Sequence, residues 1–280
     1  MKDRPVSHFA IQFWGVRGSI PAPGKETLRY GGNTSCVAMR IANQLLIFDG
    51  GTGLRQLGKS LLKDVPVNAY MFFTHSHWDR IQGFPFFAPA FVEGNCFQIY
   101  GASASTGASM KQRLGDQMLH QNFPFPMKTM QAELSFHNLA PGEIVQVEDV
   151  SIETSYLNQS DRAIGYRISW HGKTAVYATD ADCSPHLINK NLLYLAKEAD
   201  LLIYDSAYFN KTYQFQPSDW DSSTWRSGIE VAKEAGVKRL VLSHHDPDHS
   251  DDFLDHIETK IREDFPDGLL AREGMTVYLG

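Results

Sequence analysis

The sequence predicts an α/β chain folded as a four-layer αββα sandwich. Three observations lead to that class. Apolar stretches of strand length recur in both halves, helical stretches stand between them, and the polar residues with chemical character fall just after strands. No linker-like composition divides the halves and no short-period repeat occurs, so one domain is expected over residues 1–280. A chain of 280 residues with 42% hydrophobic composition can enclose a large core.

Each element has its own signal. Residues 8–14 alternate and are rich in aromatics, which suits a first strand. Residues 15–32 hold many Gly and Pro and read as a loop. Two short strands, 35–41 and 44–49, end at Gly50-Gly51-Thr52-Gly53, where glycine permits close backbone approach beneath a site. Residues 54–62 are a short helix, 68–74 a buried strand, 96–100 another strand and 103–118 a helix. The apolar, proline-bearing loop 120–127 is either a surface segment folded onto the core or a flap over a cleft. Alternation resumes at 144–157, 164–170 and 174–179. A helix at 187–198, a buried strand at 201–205, an amphipathic helix at 225–235 ended by Gly236 and a strand at 237–243 follow. Ser250 with Asp251 and Asp252 caps a last helix, placing acids at the positive end of its dipole, and 275–279 closes the chain.

Bulk properties exclude several roles. Net charge is −6 with no long run of either sign, which argues against general nucleic-acid binding. Cys36, Cys96 and Cys183 are scattered and odd in number, as reduced thiols of a cytoplasmic protein would be. The first residues lack the apolar core of a signal peptide, and no segment nears the roughly 18 apolar residues a membrane span needs. The composition is compatible with a homodimer.

The chemistry concentrates at Thr74-His75-Ser76-His77-Trp78-Asp79-Arg80, directly after the strand at 68–74. Alternation by two puts His75 and His77 on one side of an extended chain, and a turn brings Asp79 to the same cavity. Imidazole and carboxylate together suit zinc, manganese or iron. Arg80 adds a permanent positive charge where a further ligand would be expected. Three more clusters end strands at metal-binding residue types: the region of 159, Asp180 and His244.

His-x-His-x-Asp-His after a strand is the signature of the metallo-β-lactamase fold superfamily, and the chain carries it as HSHWDR. FWGVRGSIPAPG (13–24), RYGGNTSCV (29–37), FDGGTG (48–53), HWDRIQGFPFF (77–87), GYRI (165–168), YATD (177–180) and RLVLSHHDPDH (239–249) resemble one bacterial branch of it, similar to tRNA 3′-end endonucleases and cyclic phosphodiesterases. The resemblance implies the αββα sandwich and a two-metal hydrolase site. It assigns His75, His77 and Asp180 to a first metal and Asp79, Asp180 and His244 to a second, with Asp49 bracing a ligand histidine.

This chain departs from that pattern at several places. Gln159 stands where a ligand histidine is expected, Arg80 cannot ligate, Ser222 replaces a histidine that helps protonate the leaving group, and Tyr204 precedes Asp205 where a histidine is usual. The resemblance therefore implies a divergent phosphodiesterase-type hydrolase with one zinc, manganese or iron ion, acting on a small phosphodiester or cyclic nucleotide. Asp79 and Arg80 are its expected catalytic residues, and Arg80, Asn33, Gln159, Ser222 and His245 its expected substrate contacts. The alternative is an inactive pseudoenzyme that needs no metal and binds a nucleotide-like ligand or a protein partner. Redox chemistry on iron is a weaker third reading, given the missing imidazoles. His245, Asp246, Asp248 and His249 also read as a structural turn, and Asp182 and Cys183 as neighbours of the cleft.

Overall fold

Period-two patterning builds the inner layers. In β1 (Phe9–Gly15), Phe9, Ile11 and Phe13 enter the core between two sheets, while Trp14 packs on the opposite side. The computed structural model describes residues 8–158, 162–181, 188–205 and 224–280. Among these, β2 (Cys36–Ile41), β3 (Gln44–Phe48), β4 (Asn68–Phe73), β5 (Cys96–Gly101) and β6 (Glu133–Asn138) follow β1 in one sheet. The second half supplies β7 (Ile144–Val147), β8 (Val150–Asn158), β9 (Ala163–Trp170), β10 (Lys173–Ala178), β11 (Leu201–Asp205), β12 (Leu240–Ser243) and β13 (Gly268–Leu270), and β14 (Thr276–Leu279) returns to the first sheet beside β1. The sheet orders are β14-β1-β2-β3-β4-β5-β6 and β13-β12-β11-β10-β9-β8-β7.

Helices cover both outer faces. α1 (Gly53–Leu61) sets Leu54, Leu57 and Leu61 against the first sheet, and α3 (Met110–Asp116) adds Met110 and Leu114. α4 (Lys190–Ala196), α5 (Thr224–Glu234) and α6 (Asp251–Asp264) bury Leu192, Leu195, Ile229, Leu254 and Ile261 against the second. Each such side chain contributes about 1.5–3 kcal/mol of burial. β11 is buried on both faces, which is why it reads as a continuous apolar run instead of an alternating one. The four-layer αββα sandwich is thus present. Among the described residues, no helix is long and apolar enough to cross a membrane.

Some elements depart from expectation. The helix expected over 103–118 is only α3, because Gly107 takes φ 84° and Ser109 caps the helix start by accepting from the Gln112 N–H. β6 and β13 are not among the expected strands; β6 is an edge strand whose Leu134 and Phe136 pack against the outer-face core, and β13 has three residues. Loop 120–127 lies on the outer face of the first sheet, where Phe123 and Met127 pack against its core, as the surface-segment reading expects. Ser250 caps α6 by accepting from the Phe253 N–H at 3.3 Å. Ser250→Ala is expected to lower stability by about 1 kcal/mol, read as a shift of the urea midpoint with an unchanged slope.

The sheets bring functional residues to one rim. β3 runs parallel to β4, and β10, β11 and β12 are mutually parallel. Their carboxyl ends lead into Asp49, His75, Asp180, Asp205 and His244. Carboxyl ends of parallel strands are where open α/β sheets place ligands. Asp49, Asp180 and His244 all adopt left-handed φ, at 57°, 51° and 59°. Such backbone costs about 1 kcal/mol or more for a residue with a β-carbon, and it concentrates at functional sites.

Candidate metal centre

The centre begins with how β4 ends. The Thr74 N–H donates to Asp49 Oδ1 at 2.9 Å, and the Thr74 hydroxyl lies 3.0 and 3.1 Å from the two Asp49 oxygens. An ionised carboxylate only accepts, so the hydroxyl proton points at Asp49. The Thr74 oxygen then receives the Nδ1–H of His75, 3.0 Å away. This chain fixes the tautomer and leaves the lone pair on His75 Nε2. That nitrogen is buried, has no hydrogen-bond partner, and lies 3.4 Å from Asp180 Oδ2. Burial, together with the charges of Arg80 and His77, pushes the His75 pKa down to about 4 against the opposing pull of Asp180. A neutral imidazole lone pair therefore faces a carboxylate, an unfavourable contact unless a cation lies between them. Ligand atoms of His75, His77 and Asp180 all fall within 4.8 Å of one another. Two ligands about 2.0–2.1 Å from a tetrahedral zinc stand about 3.3 Å apart, so the donor set and its spacing fit one such ion.

A protein cation, Arg80, stands beside this group. α2 (Trp78–Ile81) starts the turn after His77, burying Asp79, Arg80 and Ile81 and leaving Trp78 outside. Its position depends on close backbone contact. Gly50 N–H donates to Arg80 O at 2.6 Å and Gly83 N–H to Gly50 O at 2.8 Å. A β-carbon on Gly83 would stand 1.9 Å from Gly51 O, so only glycine fits. The fully buried Arg80 guanidinium sits among four carboxylates. Nη2 bonds Asp180 at 2.8 Å and Asp205 at 3.1 Å, Nη1 bonds Asp49 at 3.3 Å, and Nε lies 3.6 Å from Asp79. Burial raises the Asp49 pKa to about 6, opposed by Arg80, Thr74 and Tyr177. Burial acts the same way on Asp180, but Arg80 and His75 outweigh it and hold that carboxyl well below the usual range.

His244 supplies the other cation. Its Nε2 lies 2.9 Å from Asp79 Oδ2 and its Nδ1 3.6 Å from Asp205 Oδ2. Burial and Arg80 disfavour the imidazolium, yet Asp205 and Asp79 outweigh them and raise its pKa. Burial likewise opposes the charged form of Asp79, but the His244 hydrogen bond and Arg80 drive its pKa far down. Each partner thus favours the charged form of the other. Arg80 and His244 thus both face the carboxylates of this rim.

Against expectation, the assignments separate. His75, His77 and Asp180 come together. Asp79 and His244 fall outside that group of three and pair with each other, and both ring nitrogens of His244 face carboxylates. Arg80 is too enclosed to reach substrate. Asn33 is committed to Glu273, donating from its main chain at 2.6 Å and its side chain at 2.9 Å. His245 is fully buried, with Nε2 2.8 Å from Ala271 O and its ring edge on Tyr30, so it braces loops away from the cleft. Gln159, Ser222, Asp182 and Cys183 lie outside the described residues. Sequence reasoning left Asp205, Thr74 and Tyr177 out of the site. Tyr177 donates to Asp49 at 2.9 Å, and Asp205 also accepts from the Asp180 N–H at 2.7 Å. An acid closing the apolar strand β11, at the place where the resembled pattern has a histidine before it, was the available signal for Asp205.

Strand-end ligands on an αββα frame define the metallo-β-lactamase class of hydrolase folds. The chain belongs to the β-lactamase superfamily, whose domain model matches residues 45–245. Among its relatives, ribonuclease Z of Nostoc sp. is 23% identical over 85% of this chain and 84% of its own length. The fold is shared with the metallo-β-lactamase fold protein YhfI from Bacillus subtilis, at TM-score 0.70 and 17% identity, covering 98% of this chain and 100% of that one. Human tRNase Z, short form, superposes at TM-score 0.65 with 19% identity over 96% of this chain and 98% of its own. These likenesses show the superfamily and its fold.

Proposed function

We propose that this protein is a mononuclear metal-dependent hydrolase of a small phosphodiester, such as a cyclic or short nucleotide. The observation that carries the reading is the unpartnered, buried His75 Nε2 facing Asp180 beside His77. Those three residues would hold the ion, and two imidazoles with a carboxylate suit zinc, with manganese or iron as alternatives. A bound ion would lower the pKa of its water toward neutrality and polarise a phosphoryl oxygen. Thr74 and Asp49 keep His75 in the ligating tautomer. Arg80 and His244 offset the carboxylates around them, so one divalent ion suffices for charge balance. Asp79 holds His244 with its proton on Nε2.

The same enclosure supports a second reading, an inactive descendant that binds a nucleotide-like ligand, because Asp79, Asp180 and Asp205 already have cationic partners. Metal content separates the two. Elemental mass spectrometry on protein purified without chelator, then stripped and reloaded, is expected to give one equivalent per chain together with hydrolysis of bis(p-nitrophenyl) phosphate. Two equivalents would refute the mononuclear site. No metal under any loading would leave the inactive reading.

A further inference from the structure

α2 has a geometric requirement that does not explain its first residue. Burying Asp79 and Arg80 forces residue 78 outward, and any polar residue would satisfy that. The chain places tryptophan there, 62% exposed, directly after His77, itself a solvent-facing member of the candidate metal group. A large aromatic surface left in water at the edge of a site is informative where a scattered leucine is not. Other exposed aromatics follow α2 in the chain. Gln117 Nε2 donates to Ile81 O at 3.0 Å, tying the segment after α3 to α2. Phe123 meets Phe86 edge-on at 5.3 Å and Phe125 at 6.2 Å, and Phe86 and Phe125 are 54% and 57% exposed.

Electrostatics identify the occupant. The chain carries −6 overall and the carboxylates of the centre offset its Arg80 and His244, so long-range attraction of an anionic substrate is weak. A contact that does not depend on charge would therefore add to the affinity for a phosphoester. The indole π-face provides one for a nucleobase, since every base has a face to stack and aromatic platforms bind bases without sequence preference. The absence of a basic run suits one or two nucleotides and not a polymer.

We propose that Trp78 stacks on the base of a nucleotide whose phosphate lies at His75, His77 and Asp180. The location of the phosphate rests on the function proposed above, whereas the base contact does not. Isothermal calorimetry with adenosine 5′-monophosphate and with ribose 5-phosphate, on zinc-loaded wild type, Trp78→Ala and Trp78→Phe, tests it. The nucleotide is expected to bind wild type more tightly than the sugar phosphate. Trp78→Ala should weaken nucleotide binding by about five- to 150-fold, Trp78→Phe should retain most of it, and sugar phosphate binding should be unchanged. Equal nucleotide affinity in wild type and Trp78→Ala would overturn the platform, as would a parallel loss of both ligands. Adenosine on metal-free protein separates the two readings. Adenosine binding that Trp78→Ala removes keeps the platform even when no metal is taken up. Binding of neither adenosine nor the nucleotide overturns it.

Discussion

Arg80→Ala is expected to lower the unfolding free energy by about 3–5 kcal/mol in chelator-treated buffer, the range for removing one partner of a buried ion pair. The guanidinium is fully buried and is hydrogen-bonded to Asp49, Asp180 and Asp205, with Asp79 3.6 Å from Nε. Its loss leaves carboxylates in a site with little water to solvate them, and His244 alone cannot balance them. For a chain of this size each kcal/mol is worth roughly 2–4 °C, so the melting midpoint should fall by roughly 6–20 °C. Zinc or manganese should restore much of the loss, because a divalent ion that binds only the folded variant stabilises it by mass action. Calorimetric melts with and without metal check both halves. A variant that melts with the wild type in chelator would show that Arg80 balances nothing. Arg80→His, which returns a ligating side chain to that position, should raise metal content from one equivalent toward two.

His75→Ala should abolish metal retention and reduce turnover by about a thousandfold or more. The lone pair of this imidazole is set by a relay through Thr74 to Asp49, and among the described residues alanine leaves His77 and Asp180 of the three clustered donors. Losing the ion removes several kcal/mol of charge stabilisation, and each 1.4 kcal/mol is tenfold in rate. Thr74→Val separates ligation from orientation. It keeps the imidazole but removes the oxygen that receives Nδ1–H, and outer-sphere partners of this kind are worth about 10–100-fold in metal affinity. Zinc titration against a competing chelator measures both variants. Equal retention by His75→Ala and wild type would place the ion elsewhere.

The sequence by itself determined the layered class and most of the element order. Strand alternation, buried apolar runs and helix caps are local properties, and each is legible wherever one face of an element must be dry, as at Phe9, Ile11 and Phe13 in β1. It also marked His75, His77 and Asp180 by residue type after strand ends, and it showed that Arg80 cannot ligate. The tertiary structure alone decided what Arg80 does instead. Its partners Asp49 and Asp205 lie 31 and 125 residues away and meet it only because two sheets bring their strand ends to one rim. The pairing of His244 with Asp79, 165 residues apart, has the same origin. The burial of His245 could not be read beside its neighbour, since facing direction at a strand end depends on a left-handed residue at 244 and on the loops packed behind it. Local pattern sets which residues form strands; whether a charged side chain ends as ligand, counter-ion or brace is set by which charges and how little water surround it once the layers close.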